Sequence, residues 1–286
     1  MSRVYRALEK VEEERKQKTE EPSLRVLEEK TVPKKGVPAL EFPEEKMEKM
    51  EKMENLGLPS KEVAPVLIVP PHSFGAEAFR KLKTQIFLHP GNPPRSILVT
   101  SAAPQEGKTL VAVNLAVAIS KEIHSNAILV DGDLRRPSIH IEKSKSGVGL
   151  SNYLSNGVPL SEILINSQIE KLRIIQAGSS TRKSSELIRS RKMGELLQSL
   201  REFGDNTYVV IDSPPIMATP DPTLLSAMVD GIILVIRAGY TSRESVESAI
   251  KSIDRQKIIG VIFNQVDVKP SNYSSEYYRY YQYYRK

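Results

Sequence analysis

Residues 97–109 constrain this chain more than any other stretch. The apolar run Ile97-Leu98-Val99-Thr100 leads into Ser101-Ala102-Ala103-Pro104-Gln105-Glu106-Gly107-Lys108-Thr109, and a helical pattern then runs through Asn114 to Ser120. The general phosphate-binding loop reads G-x-x-x-x-G-K-[ST] between a strand and a helix. Here Ala102 replaces the first Gly and the rest holds. In such a loop, successive backbone N–H groups and the helix N-terminus form a cavity for phosphate oxygens. Lys108 is placed to reach the β and γ phosphates, Thr109 to offer a hydroxyl to Mg²⁺, and Gly107 to let the backbone come close.

Two further segments fit the same centre. Ile128-Leu129-Val130-Asp131-Gly132-Asp133-Leu134-Arg135-Arg136-Pro137 carries two carboxylates two residues apart at the end of an apolar run. Residues i and i+2 of a strand point the same way, so Asp131 and Asp133 can both face a metal–phosphate site. Tyr208-Val209-Val210-Ile211-Asp212-Ser213-Pro214-Pro215 is an apolar strand ending in Asp, the Walker B pattern, with Asp212 as a Mg²⁺ holder through water. Pro214-Pro215 stops that strand.

Around these motifs, short apolar runs alternate with longer helical patterns. Strands are expected at 97–100, 127–131, 172–176, 208–212, 232–236 and 258–263, and helices at 76–88, 109–121, 185–203, 222–228 and 243–256. Continuous apolar strands are covered on both faces, as in parallel sheets. The alternation predicts a doubly wound, mostly parallel α/β sheet, whose ligands bind at the carboxyl ends of the strands. Asp221-Pro222 reads as an N-cap followed by proline, and Thr241-Ser242-Arg243-Glu244 as a capping box.

Residues 1–64 read as a charged, partly helical appendage, 65–268 as the phosphate-loop domain and 269–286 as a tail. Val4, Leu8 and Val11 give a short amphipathic helix over 2–18. Prolines among charges follow, then the three-residue repeat of Met47, Met50 and Met53. Residues 1–62 hold 14 basic and 15 acidic side chains, leaving 27 and 20 for residues 63–286. That basic remainder favours an anionic partner. Cysteine is absent, which excludes thiolate zinc sites, iron–sulfur clusters and cysteine nucleophiles. No stretch approaches the roughly 18 apolar residues of a membrane span, and the N-terminus lacks a signal-peptide core, so a reducing cytoplasm is expected. The four histidines show no metal-ligand spacing and read as surface or boundary residues. Tyr5, Tyr153, Tyr208 and Tyr240 read as packing residues.

The remaining seven of the 11 tyrosines, Tyr273, Tyr277, Tyr278, Tyr280, Tyr281, Tyr283 and Tyr284, lie in the last 14 residues among Arg279, Arg285 and Lys286. No regular element could bury that pattern, so an exposed tail is expected.

The three nucleotide motifs together with this tyrosine cluster resemble the bacterial tyrosine kinases of capsule and exopolysaccharide synthesis, over roughly residues 70–286. The elements [ILV]₃-D-x-D-x-R and [ILV]₃-D-S-P-P are specific to that group within the phosphate-loop enzymes. The resemblance implies a deviant-Walker, MinD-like fold that uses ATP and Mg²⁺. It implies nucleotide contacts at Gln105, Glu106, Gly107, Lys108, Thr109 and Leu110, with Asn264 on the base. It puts metal contacts at Thr109, Asp131 and Asp212, and makes Lys108, Asp131 and Asp133 catalytic. Asp131 is the first choice of proton acceptor, in a role that Asp133 can exchange with it. The tail tyrosines become phosphoacceptors, entering the site of a neighbouring subunit. Glu77, Arg80 and Lys83 match the family's E-x-x-R-x-x-R oligomerisation element, with Lys83 in place of the last Arg, so a homo-oligomeric ring is implied.

The resemblance also implies two relations to other partners. One is a membrane activator of the chain-length-determinant (polysaccharide co-polymerase) type, acting through its cytoplasmic tail and holding the chain at the inner face of the membrane. Another is a cognate tyrosine phosphatase. No nucleic-acid partner is implied. The alternatives are a positioning ATPase of the ParA/MinD type and a non-catalytic nucleotide-binding scaffold. The former carries an early Lys in its loop, where this chain has Ser101-Ala102-Ala103.

Overall fold

The computed structural model describes residues 68–140, 147–204 and 206–266. The helix expected over 2–18, the methionine repeat, Tyr5 and all seven tail tyrosines lie outside them. Helix α1 (Phe74–Phe87) precedes β1 (Ser96–Ser101), α2 (Lys108–Ser120) and β2 (Asn126–Asp131). Then come α3 (Leu150–Asn156), α4 (Leu160–Ile163), β3 (Ile165–Asn166), β4 (Leu172–Ile175), α5 (Ser184–Ile188) and α6 (Arg191–Arg201). Strand β5 (Thr207–Asp212), α7 (Asp221–Met228), β6 (Gly231–Arg237), α8 (Arg243–Lys251) and β7 (Ile258–Asn264) complete the order. The sheet runs β3-β4-β2-β5-β1-β6-β7, antiparallel only between β3 and β4.

Alternation along each strand divides the core into two layers. Ile97, Val99, Ala127, Leu129 and Val210 pack with α1 and α2. Leu98, Ile128, Val130, Val209 and Ile211 pack with the helices of the other face, among them Leu196 and Leu200 of α6. Helix α2 is buried continuously over 111–120, which explains why it reads as uniformly apolar rather than striped. Helix α1 is capped by Ser73, whose oxygen accepts from Ala76 N–H. Its Phe87 stacks on Tyr208 at a centroid distance of 4.8 Å.

All six expected strands form. The helix expected at 185–203 is two helices, because Ser190 leaves α-helical geometry and starts α6. The pattern at 243–256 stops at Lys251, and Asp254 then caps a single 3₁₀ turn. The proposed caps shift by one residue. Asp221 is the first residue of α7 rather than its cap, and Ser242, not Thr241, caps α8. Elements α3, α4 and β3 were not anticipated. They are short, and α3 starts where Gly149 meets Gly178, where a Cβ on Gly149 would fall 2.2 Å from Gln176 O. Tyr208 is buried as expected, but Tyr240 is 62% exposed, with Arg237 lying over its ring at 4.7 Å. His72, His124 and His140 are exposed and His89 is half-buried.

Candidate active site

Sheet register assembles the site. Asp131 and Asp212 end β2 and β5 and are direct partners in the ladder, and Asp212 is also opposite Val99 of β1. Two strand-end carboxylates therefore stand side by side at the carboxyl edge, next to the loop that leaves β1. Gly132 N–H donates to Asp212 O at 2.8 Å, and a Cβ at 132 would lie 2.8 Å from the same oxygen, so only glycine allows this approach.

The loop 102–108 wraps over that edge. Gln105 has φ 64° and Gly107 has φ 88°, turning the backbone so that Gly107 caps α2. The Glu106 carboxylate points inward and is fully buried. One oxygen accepts from Ala103 N–H at 2.7 Å and the other from the Thr241 hydroxyl. What Glu106 leaves to a ligand is backbone, not charge. Asn264, at the end of β7, donates to the Glu106 carbonyl at 2.9 Å. Lys108, Thr109 and Leu110 form the first turn of α2 and are half-buried.

The two halves of the Asp-x-Asp pair differ. Asp131 is saturated by backbone. Oδ1 accepts from Asp133 N–H, and Oδ2 from Ser138 and Ile139 N–H, all at 3.0 Å. Burial pushes its carboxyl up to about 6, and those three bonds restrain the rise. Asp133 is engaged at Oδ1, which accepts from Arg136 N–H at 2.9 Å. Asp212 is fully buried, and among the described residues its Oδ1 has no hydrogen-bond partner. Burial pushes it up to about 7. The Lys108 ammonium opposes that rise and the Asp131 charge adds to it.

A buried carboxylate oxygen without a donor, beside a threonine hydroxyl at a phosphate loop, suits Mg²⁺. This ion keeps several waters and takes one or two carboxylates along with substrate phosphates. Among the described residues no cluster of three or more His, Cys, Asp and Glu could hold a metal alone, so the phosphates would complete the set.

Ser138 was not foreseen. Its hydroxyl lies 3.3 Å from Thr109 Oγ1 and 3.4 Å from Asp212 Oδ2, linking the phosphate-loop helix to β5. It follows Arg135-Arg136-Pro137 with no periodicity to mark it. Thr241 was read only as a cap. Arg135, the last residue of the D-x-D-x-R element, donates to Ser184 and Ser185 and faces buried Asp221.

Glu77, Arg80 and Lys83 lie along α1. Arg80 pairs with Glu77, and Lys83 with Glu122, holding the Glu122 carboxyl below its ordinary range. These pairs lie within one chain.

No family model matches the chain. It is 31% identical over 203 residues to the tyrosine-protein kinase YwqD of Bacillus subtilis, covering 70% of this chain and 84% of that protein. The chain belongs to the bacterial tyrosine kinases. A second relative of this kinase, the tyrosine-protein kinase CpsD of Streptococcus pneumoniae serotype 4, is 30% identical over 201 residues, 69% of this chain and 87% of that one. Among solved structures, the VpsO kinase domain superposes with a TM-score of 0.57 at 30% identity, covering 68% of this kinase and all of that domain. The cell division ATPase MinD of Pyrococcus furiosus shares the fold alone, with a TM-score of 0.51 at 19% identity over 62% of this chain and 74% of MinD. No described helix of this kinase is long and apolar enough to cross a membrane.

Proposed function

We propose that the chain is an ATP-dependent protein-tyrosine autokinase that acts in trans between subunits, on tail tyrosines among Tyr273–Tyr284, and thereby regulates capsule or exopolysaccharide synthesis. The observation that carries this reading is the paired register of Asp131 and Asp212 beside Lys108 and Thr109.

The chain's own groups divide the work. Backbone N–H groups of the loop 105–109 and the N-terminus of α2 receive the β and γ phosphates, and Lys108 adds a positive charge where negative charge develops. Thr109 and Asp212, with Asp131, are the side chains that would hold Mg²⁺, which supplies charge neutralisation across the transferring phosphates. Asn264, which donates to the Glu106 carbonyl of the loop, is assigned the contact to the base. Asp133 becomes our choice of proton acceptor, because three backbone donors engage Asp131. As the tyrosine oxygen forms its bond to the γ phosphorus, the bond from that phosphorus to the bridging oxygen breaks and ADP leaves. The phenolic proton, with a pKa near 10, passes to the carboxylate. Reach is no obstacle, since the 22 residues after Asn264 could extend up to roughly 75 Å.

We further assign a homo-oligomeric ring, with Glu77, Arg80 and Lys83 at its contacts, and a cytoplasmic chain held at the membrane by the tail of a chain-length-determinant activator. A cognate tyrosine phosphatase would reset it. What favours a kinase over a positioning ATPase is the pair of relatives at 30% identity or more that are named tyrosine kinases, against a MinD likeness of fold alone.

Incubation of the purified full chain with Mg-ATP, followed by mapping of phosphotyrosine by mass spectrometry, tests the reading. Phosphate on the tail of the wild type, absent in Lys108→Met, is expected. Nucleotide hydrolysis without phosphotyrosine, even with the activator's cytoplasmic tail added, would overturn it.

A further inference from the structure

Just past the second carboxylate of the Asp-x-Asp pair, at Arg135, lies a hollow that phosphoryl transfer itself leaves unused. It has a volume of about 320 Å³ and is lined by Arg135, Ser180, Thr181 and Arg182. Its two walls are tied together. Thr181 N–H donates to Leu134 O, and the Ser180 hydroxyl to Arg135 O, each at 2.9 Å.

Arg135 is preorganised. Its Nε donates to Ser184 Oγ at 2.7 Å and lies 3.5 Å from the buried Asp221 carboxylate, and a terminal nitrogen donates to Ser185 Oγ at 3.2 Å. Asp221 offsets the charge of Arg135. Arg182 adds a second guanidinium and is exposed, as are the adjoining Arg136 and Lys183. Arg135 and Arg182 both line the hollow, and because arginine's planar N–H forks match phosphate oxygens, a hollow of this size suits a phosphate on an aromatic ring.

Position decides what such a site would do. Arg135 is two residues beyond Asp133, so their Cα atoms are at most about 7 Å apart. Residues 270–286 carry Arg279, Arg285 and Lys286 against Glu276, so the unmodified tail is cationic and has little to offer the hollow. One phosphorylation adds a charge of about −1.5 to −2. The pairs Tyr277-Tyr278, Tyr280-Tyr281 and Tyr283-Tyr284 recur every three residues. Three extended residues span roughly 10 Å, so one tail can place one pair at the hollow and the next beyond it.

We propose that the hollow between Arg135 and Arg182 is a phosphotyrosine-reading site, which holds a tail tyrosine already phosphorylated and so presents the next pair to the carboxylate centre. This rests on the autokinase reading. Under it, the first transfer is slow and later ones follow quickly on the same tail.

The test uses a fluorescent peptide of residues 273–286 in three forms: unmodified, phosphorylated at Tyr280, or carrying Tyr280→Glu. Each is titrated with the full chain in excess Mg-ADP and read by anisotropy. The phosphorylated form is expected to bind at least tenfold more tightly than the other two. Arg182→Ala should erase at least fivefold of that preference and Lys108→Met should keep it. Equal affinity for all three peptides overturns the proposal, as does a preference that survives Arg182→Ala. A preference lost with Lys108→Met puts the phosphate in the nucleotide loop instead and also overturns it. Because no catalysis is involved, a chain that discriminates the peptides but makes no phosphotyrosine would sink the autokinase reading and leave the hollow standing. The reverse result would sink the hollow alone.

Discussion

Asn264 lies across Gly107: a Cβ at 107 would fall 1.9 Å from the Asn264 Nδ2 that donates to the preceding carbonyl. The end of β7 is thereby latched to the phosphate loop, 157 residues away in sequence. Gly107→Ala must pay twice, in a φ of 88° that costs Ala about 1–2 kcal/mol and in displacement of Asn264. Nucleotide affinity should fall at least tenfold while the fold survives. Titration with a fluorescent ATP analogue measures it, and unchanged affinity would refute the latch.

Asp212 supplies a pH signature. Its carboxyl is raised to about 7 in the folded chain, against about 3.9 unfolded. Between those values the folded state holds a proton that the unfolded state has lost, so the contribution to stability is complete at low pH and vanishes as pH rises through 7. The nucleotide-free chain should melt at lower temperature at pH 8 than at pH 5. Asp212→Asn should raise stability at pH 8 by roughly 1–3 kcal/mol, the cost of a buried charged oxygen left without a donor, while abolishing kinase activity. Part of the pH slope should remain, because Asp131 is also raised, to about 6. Calorimetry across pH decides it; a variant that melts below wild type at pH 8 would contradict the assignment.

Much of this architecture was legible because strand ends carry the chemistry. Asp131, Asp212 and Lys108 each terminate or follow an uninterrupted apolar run, so pattern and function coincide. Ser138 and Thr241 were not legible, since their roles arise from contacts with residues 29 and 135 positions away, to Thr109 and Glu106. The inward turn of Glu106 was hidden for the same reason: a charged loop residue looks ligand-facing until its buried partners are known. The region 149–166 was not legible because α3 starts at the Gly149–Gly178 approach and α4 and β3, of four and two residues, are too short to carry a stripe of their own.

Asp131 and Asp133 should separate cleanly on mutation. Asp131 binds three backbone N–H groups of the segment 133–139, so Asp131→Asn leaves at least one buried donor poorly served. A loss of roughly 1–3 kcal/mol in stability should accompany its loss of activity. Asp133→Asn should leave the melting temperature within about 2 °C of wild type and lower kcat by about 10²–10⁴, the usual span for a general base. Denaturation and steady-state kinetics on both variants check this. Equal destabilisation would return the proton role to Asp131.

Tail charge should govern assembly in two stages. Residues 270–286 carry a net charge of +2 before modification. One phosphate brings the tail near neutrality, and by the reading above its dianion is taken up between Arg135 and Arg182. Three phosphates carry the tail to roughly −3, and only one of them can occupy each hollow. Tails leaving adjacent sites then repel across distances comparable to the Debye length, about 8 Å at physiological salt. Native mass spectrometry of samples sorted by phosphate count should show the oligomer intact with one phosphate per tail and opening at three or more. Raising the salt to 1 M, where the screening length shrinks to about 3 Å, should restore the assembly. A fully phosphorylated sample that keeps its subunit number at low salt would rule out charge as the release signal.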